Sequence, residues 1–212
     1  MVCLNVMTDS FNCPACGGPI TSVNPISRSV VCAHCGNLLR LDNSSWLAAG
    51  QMPSMLDAPP LLRVGRSGIL EKRHFMVEGR VRLASLDGHW DEWWIQFEDG
   101  TGQWIEEDDG SYNLHHEQST VDDLAVDINT LRDLSPGSML QASGSNWFIT
   151  ETGGATVTGV QGQLPVSMSP GFDMHYIDAV ADGKELSLEL WINEVTASIS
   201  STLVAADIIW SD

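Results

Sequence analysis

Apolar residues recur at every second position over much of the chain from Leu61 onward. One run is formed by Phe75, Val77, Gly79, Val81 and Leu83, and another by Trp93, Ile95 and Phe97. A third run sets Leu186, Leu188, Leu190 and Ile192 against Ser187, Glu189 and Trp191. A period of two is typical of β-strands. No segment carries a long apolar stripe of helical period, and residues 118–133 are the best helical candidate. We therefore predict an all-β sandwich or barrel-like domain over residues 61–212.

Turn signals separate these runs. The dipeptide Asp-Gly occurs at 87–88, 99–100, 109–110 and 182–183, and it favours hairpin turns that need a positive φ. The segment 98–102 is predicted to connect the Trp93–Phe97 run to a strand over 103–105 as a hairpin.

A faint internal repeat suggests two related halves. Leu62-Arg63-Val64-Gly65 precedes Phe75 and Val77, whereas Leu134-Ser135-Pro136-Gly137 precedes Phe148 and Thr150. The offset is 72 residues between the glycines and 73 between the phenylalanines. Two pseudo-repeated halves would give this pattern, and chance similarity between two β segments is the alternative.

Four cysteines mark a separate unit at the start of the chain. Cys13, Cys16, Cys32 and Cys35 form two C-x2-C pairs that are 15 residues apart, a spacing typical of structural zinc sites. Four thiolates fill a tetrahedron, so the site is predicted to be structural rather than catalytic. Rubredoxin-like iron and a redox dithiol are the alternatives. We predict a zinc ribbon over residues 1–42, followed by a linker over 43–60 that contains Gly50, Pro53 and the pair Pro59-Pro60.

The charge is divided unevenly along the 212 residues. The formal net charge is -18, with +3 over residues 1–82 and -21 over residues 83–212. An acidic surface repels a phosphate backbone, so general nucleic-acid binding is not expected; Arg28 and Arg40 are too few to give the ribbon that role. Acidity of this kind fits plain solubility, a basic protein partner or a bound cation. With no secretion signal and no apolar run of membrane length, a cytoplasmic location is expected.

Tryptophans are the first candidate for a binding surface. Trp90, Trp93, Trp94 and Trp104 lie within 15 residues of one another. Trp93 and Trp94 are neighbours on one strand and must face opposite sides of it. One of them could therefore be exposed and anchor a protein interface; burial of both between sheets is the alternative.

Motifs of known enzymes are absent from the sequence, which contains no G-x-S-x-G elbow and no phosphate-binding loop. His115-His116-Glu117 begins like a zinc-protease helix, but Thr120 stands where that motif needs histidine, so a polar loop is predicted. Asp91 and Glu92 would face opposite sides of a strand and could not act together. Acidic runs over 87–92 and 106–109 leave an irregular cation site open. His175, Tyr176 and Asp178 form the best polar cluster for a pocket, with His175 as a possible base.

Several of these segments together resemble a bacterial family of domains of unknown function, DUF4178. The resemblance rests on Gly65-x2-Gly68, Phe75-x-Val77-x-Gly79-Arg80, Trp90-Asp91-Glu92-Trp93, Gln103-Trp104-Ile105 and Gly162-Gln163-Leu164-Pro165. It covers roughly residues 60–208 and implies an all-β domain, often preceded by a zinc ribbon, with no established enzyme activity. It also implies a setting in bacterial membrane-stress systems of the phage-shock-protein-A type.

The sequence thus favours a non-enzymatic, zinc-containing binding or adaptor protein with a protein partner, which could bring it to a membrane without a transmembrane segment of its own. The alternative is a small-ligand receptor or an enzyme that uses a β-domain pocket near His175, Tyr176 and Asp178.

Overall fold

A computed structural model describes residues 9–55, 61–120, 127–142, 144–192 and 194–211. The predicted β class is confirmed, since nearly all regular structure in these ranges is strand. Five short strands form the N-terminal part: β1 (Asp9–Asn12), β2 (Pro19–Val23), β3 (Ser29–Val31), β4 (Asn37–Asp42) and β5 (Ser45–Gln51). No helix in the described ranges is long and apolar enough to cross a membrane.

The remaining strands form two successive meanders. The first contains β6 (Ser67–Leu70), β7 (Arg73–Ala84), β8 (His89–Phe97), β9 (Gly102–Asp108) and β10 (Ser111–Thr120). The second contains β11 (Met139–Ala142), β12 (Ser145–Leu164), β13 (Asp173–Ala181), β14 (Lys184–Leu190) and β15 (Val195–Thr202). A five-residue helix α1 (Ile128–Arg132) precedes β11, and a 3-10 turn at Ala205–Asp207 precedes β16 (Ile209–Trp210).

Antiparallel pairing joins eight of these strands in a ring, in the order β7-β8-β9-β10-β15-β14-β13-β12 and back to β7. The long strand β12 makes the closure, because its first half pairs with β13 and its second half with β7. Gly79 of β7 lies opposite Gly162 of β12 at this point. A Cβ on Gly79 would lie 2.3 Å from the carbonyl oxygen of Gln163, and one on Gly162 would lie 2.1 Å from that of Glu78. Only glycines let the two backbones approach this closely.

Equivalent turns stand before the two meanders, at the glycines that the predicted repeat matched. The N–H of Gly65 donates to the carbonyl of Val77 over 2.8 Å, and the N–H of Gly137 donates to that of Ile149 over 2.9 Å. Both glycines have positive φ, 85° and 90°. The match of Phe75 with Phe148 is wrong by one position: Phe75 and Trp147 are buried, whereas Phe148 is 46% exposed.

Each half has an apolar core on the outer face of its strands. In the first half, Trp93, Ile95 and Ile105 pack with Leu203 and Ile208 from the C-terminal segment. In the second half, Ile177, Leu188 and Ala197 pack with Leu131 of α1 and Leu140 of β11. The side chains at the alternate positions of the same strands point to the inside of the ring, and they include Glu92, Trp104, Ser187 and Glu189. The inner side also holds an apolar cluster that includes Val81, Trp94 and Val157, so apolar packing and buried carboxyl groups share the interior of the ring.

The four Asp-Gly dipeptides all lie in connections between consecutive ring strands, as predicted. Gly100, Gly110 and Gly183 have the expected positive φ, whereas Gly88 does not. The predicted hairpin from 93–97 to 103–105 is also present as β8 and β9.

Three local predictions are wrong or only partly met. Residues 45–51 of the predicted linker form β5, which pairs with β4, while 56–60 lie outside the described residues. Of the helical candidate 118–133, residues 118–120 belong to β10, 121–126 lie outside the described residues and 128–132 form α1. His115 and His116 belong to β10 and not to a loop, because the strand continues through a bulge to pair with β15.

The N-terminal strands contact the ring directly. β3 pairs with the end of β12, the N–H of Arg28 donates to the carbonyl of Leu164 over 2.8 Å, and Leu38 packs with Val81 and Leu83. The predicted domain limits at 42 and 60 stay predictions.

Closure of the ring predicts a sharp difference between two glycine substitutions. Gly79→Ala should lower the free energy of unfolding by about 2 kcal/mol or more, because the added Cβ overlaps the backbone of β12. Gly88→Ala is the matched control: a Cβ there meets nothing within 4 Å, and the change should stay within about 0.5 kcal/mol. Denaturant unfolding of both variants measures this, and equal effects would contradict close approach at Gly79.

Candidate functional site

The four cysteines form a compact cluster in the ribbon. Their sulfur atoms all lie within 4.8 Å of one another, and the pairs Cys13–Cys35 and Cys16–Cys32 are each 3.9 Å apart. A tetrahedral metal with thiolate bonds of about 2.3 Å separates its sulfurs by about 3.8 Å. The cluster is thus close enough to bind one metal ion.

The two cysteine loops have the same backbone design. Gly17 and Gly36 follow the second cysteine of each pair with φ of 75° and 70°, and each donates its N–H to the carbonyl of the first cysteine over 2.8 Å. The N–H of Gly18 donates to the Cys16 sulfur over 3.4 Å, and the Asn37 side-chain amide donates to the Cys35 sulfur over 3.7 Å. Such donors stabilise thiolates on a metal.

A second candidate is a cavity of about 900 Å³ on the inner side of the ring. Glu92, Trp104, His115, Glu189 and Ser198 line its inner part. The cavity also reaches Arg40 and the exposed Ile192, so it opens to solvent at that end. The ribbon contributes to this mouth, since Arg40 donates from Nε to the Ser167 hydroxyl over 2.9 Å and lies over the Phe172 ring.

Glu92 and Glu189 meet across the ring, from β8 and β14. Burial raises the pKa of Glu92 well above its ordinary value, and repulsion from Glu189 and Glu106 adds to the effect. Burial also raises the pKa of Glu189. Glu189 accepts hydrogen bonds from Trp191 Nε1 at 3.0 Å and Thr196 Oγ1 at 3.2 Å, and Trp90 Nε1 donates to Glu92 at 3.2 Å. The two carboxyl groups are in contact, so they titrate as a pair that holds a proton more tightly than a free carboxyl group does.

His115 lies beside this pair and is 8% exposed. Its Nδ1 lies 2.6 Å from the Ser198 hydroxyl, and its Nε2 has no hydrogen-bond partner among the described residues. Burial lowers the pKa of His115 to about 4, so the ring is neutral at pH 7. A neutral imidazole can present a bare nitrogen as an acceptor.

Two more carboxyl groups extend the acidic band. Burial, followed by repulsion from Asp178, raises the pKa of Glu106 to about 7, and burial raises the pKa of Asp178 to about 6. Glu106 approaches Nε2 of His115 at 4.0 Å. Because these pKa values are raised, ionising the two groups costs folding free energy. Carboxyl groups with raised pKa values are common at functional sites.

The tryptophan surface is not formed, because Trp93, Trp94 and Trp104 are all buried. Trp93 belongs to an outer core and donates from Nε1 to Glu107 over 2.8 Å. Trp94 and Trp104 pack against each other inside the ring, with centroids 5.2 Å apart. Trp90 is half-buried against Tyr176. The exposed apolar side chains lie elsewhere: Met139, Phe148 and Val180 are direct neighbours across β11, β12 and β13.

The predicted polar cluster of His175, Tyr176 and Asp178 is not formed as one group. His175 lines the cavity, the Tyr176 hydroxyl donates to Glu151 over 2.7 Å, and Asp178 accepts from Ser187 over 2.8 Å. His175 and Tyr176 are consecutive on a strand and point to opposite sides.

Asp91 and Glu92 also face opposite sides, as predicted. Asp91 accepts hydrogen bonds from Arg80 and Arg82 at 2.5 Å and 2.8 Å. Burial alone would raise the pKa of Asp91, but the two arginines outweigh it and lower that pKa. Across the ranges that the structure covers, the cysteines are the one group that meets metal-ligand geometry, so the acidic runs do not form a second such group.

The sequence did not predict that Glu92, Glu189 and His115 line one cavity. Its members come from three strands and lie up to 97 residues apart in sequence. The available signal was the single glutamate at 189 among alternating leucines and serine, which marks a polar face of β14.

The model of the family described as domain of unknown function (DUF4178) matches residues 63–204. No curated protein and no solved structure matches the chain.

If the four clustered cysteines bind the metal, replacing one of them should remove it, whereas replacing a cysteine outside the cluster should not. Cys32→Ser should reduce bound metal from about one equivalent to near zero and lower the melting temperature, because a ribbon of this size depends on its metal to fold. Cys3 is the one cysteine of the sequence outside the two C-x2-C pairs, so Cys3→Ser is the matched control and should keep both the metal and the melting temperature. Elemental analysis of the purified proteins measures the metal; full metal retention in Cys32→Ser would contradict the assignment.

Proposed function

The chain belongs to the DUF4178 family, and we propose that it is a non-enzymatic binding protein whose ligand occupies the cavity inside the ring. The observation that carries this proposal is the unpartnered Nε2 of the buried His115 at the cavity, beside two buried carboxyl groups. A packed core would satisfy such a group with a neighbouring side chain.

Size and lining support a small-molecule ligand. A volume of about 900 Å³ lies within the range of ligand pockets, which combine mostly apolar walls with a few placed polar groups. Trp104, Met168, Met174 and Trp191 supply such walls, and Glu189 and His115 supply the polar groups.

Zinc is the proposed metal of the ribbon. An all-thiolate tetrad suits zinc, which takes four sulfur ligands in structural sites. With four protein ligands the ion has no open position for a substrate, so its role is to hold the ribbon that carries Arg40 to the cavity mouth. We therefore assign no catalytic step to this metal.

A protein partner is a second part of the proposal. The exposed row of Met139, Phe148 and Val180 is an apolar surface that a partner could bury. A place in a bacterial membrane-stress system and a cytoplasmic location are proposed on the family resemblance and composition alone.

A fragment screen followed by two-dimensional NMR tests the cavity. Fragments that bind should shift the indole N–H signals of Trp104 and Trp191, because both side chains line the cavity. Thr196→Trp, which fills the cavity, should abolish these shifts. Thr202→Trp places the same side chain at the exposed end of the same strand and should leave them unchanged. Fragments that shift only outer-surface signals in the wild type would overturn the proposal.

A further inference from the structure

The inner end of the cavity holds two carboxyl groups in contact, Glu92 and Glu189. His115 lines the same cavity, and its Nε2 has no hydrogen-bond partner in the described part of the chain. The two arginines that line the cavity lie away from these groups: Arg40 is held at the mouth by Ser167, and Arg132 is exposed on α1. Among the described residues, no ion pair links a cationic side chain to Glu92 or Glu189.

The acceptors of Glu189 are only partly used. Trp191 and Thr196 both donate to the same oxygen, Oε2, and Glu92 is also hydrogen-bonded to this carboxyl group. A carboxylate has about four lone-pair sites, so room remains for a further donor. His115 lines the same cavity, and in the tautomer whose Nδ1–H donates to Ser198 its Nε2 is an acceptor. A ligand group that carries positive charge and donates hydrogen bonds fits these acceptors.

The walls next to this end are apolar and aromatic. Trp104 and Trp191 flank the carboxyl pair, and Met168, Phe172 and Met174 continue toward the mouth. Indole faces attract cations as well as apolar groups. These walls suit a ligand with one charged end and an apolar body.

Resting on the proposed function of the same cavity, we propose that its ligand is a small organic cation: a primary ammonium group on an apolar body. The ammonium group donates to the Glu189 carboxylate and to Nε2 of His115, and the apolar body lies between Trp104 and Trp191.

Three probes of one size separate charge from shape: 2-phenylethylamine, 2-phenylethanol and 3-phenylpropanoate. Calorimetric titration at neutral pH should give the amine an affinity at least about tenfold higher than that of the alcohol, with the carboxylate weakest. Glu189→Gln and His115→Asn should each weaken amine binding by about tenfold while changing alcohol binding by less than about twofold. Circular dichroism confirms that both variants fold.

Glu185→Gln is the matched control. It removes one carboxylate from an exposed position of β14, and it should leave amine affinity unchanged. If it weakens the amine as much as Glu189→Gln does, the amine follows the overall acidity of the chain and the inference is overturned.

The two proposals fail differently. If the alcohol or the carboxylate binds inside the cavity as tightly as the amine, the cavity keeps its function but the ligand is not a cation. If none of the three probes shifts the Trp104 and Trp191 indole signals, the inferred ligand class is overturned, whereas hits from the wider fragment screen would still support the cavity.

Discussion

Close approach of two backbones at Gly79 and Gly162 is the constraint on which the rest of the ring depends. β12 leaves β13 at Thr156 and pairs with β7 from there to Gly162, so the two meanders close on each other instead of forming an open sheet. Closure turns the inner faces of β8 and β14 toward one another, and this brings Glu92 into contact with Glu189. A side chain at either glycine would separate the strands.

Stability and binding are divided between the two faces of the ring. The outer faces bury separate apolar cores, one under the C-terminal segment and one under α1 and β11. Since these cores supply the hydrophobic free energy of folding, the inner face can hold carboxyl groups whose ionisation is unfavourable. The ribbon also forms part of the cavity mouth. The Ser29 hydroxyl accepts a hydrogen bond from the N–H of Met168 and donates one to the carbonyl of Val166. These bonds position the loop that contacts Arg40. The ribbon and the mouth of the cavity are therefore in direct contact.

Local sequence patterns predicted those features of the structure that depend on residues close together in the chain. The alternation of Phe75 to Leu83, the Asp-Gly turns and the cysteine spacing led directly to strands, hairpins and a metal cluster. The position of the tryptophans was left open between an exposed surface and burial, because alternation shows that Trp93 and Trp94 face opposite sides but not whether both sides are covered. The contact between Glu92 and Glu189 could not be predicted, since it depends on ring closure by a strand pairing far away in sequence. The one-position error at Phe148 has the same origin: spacing alone does not fix which face is buried.

The stability of Glu189→Gln distinguishes a binding cavity from a structural polar core most directly. A raised pKa in the folded state means that wild-type stability falls as pH rises from the unfolded value of about 4.3 through the folded pKa. We therefore expect the variant to be more stable than wild type at about pH 8, and the difference to shrink at about pH 4, as measured by denaturant unfolding. A variant that is less stable than wild type at both pH values would show that the Glu189 carboxylate serves the fold, which would contradict the cavity as a ligand site.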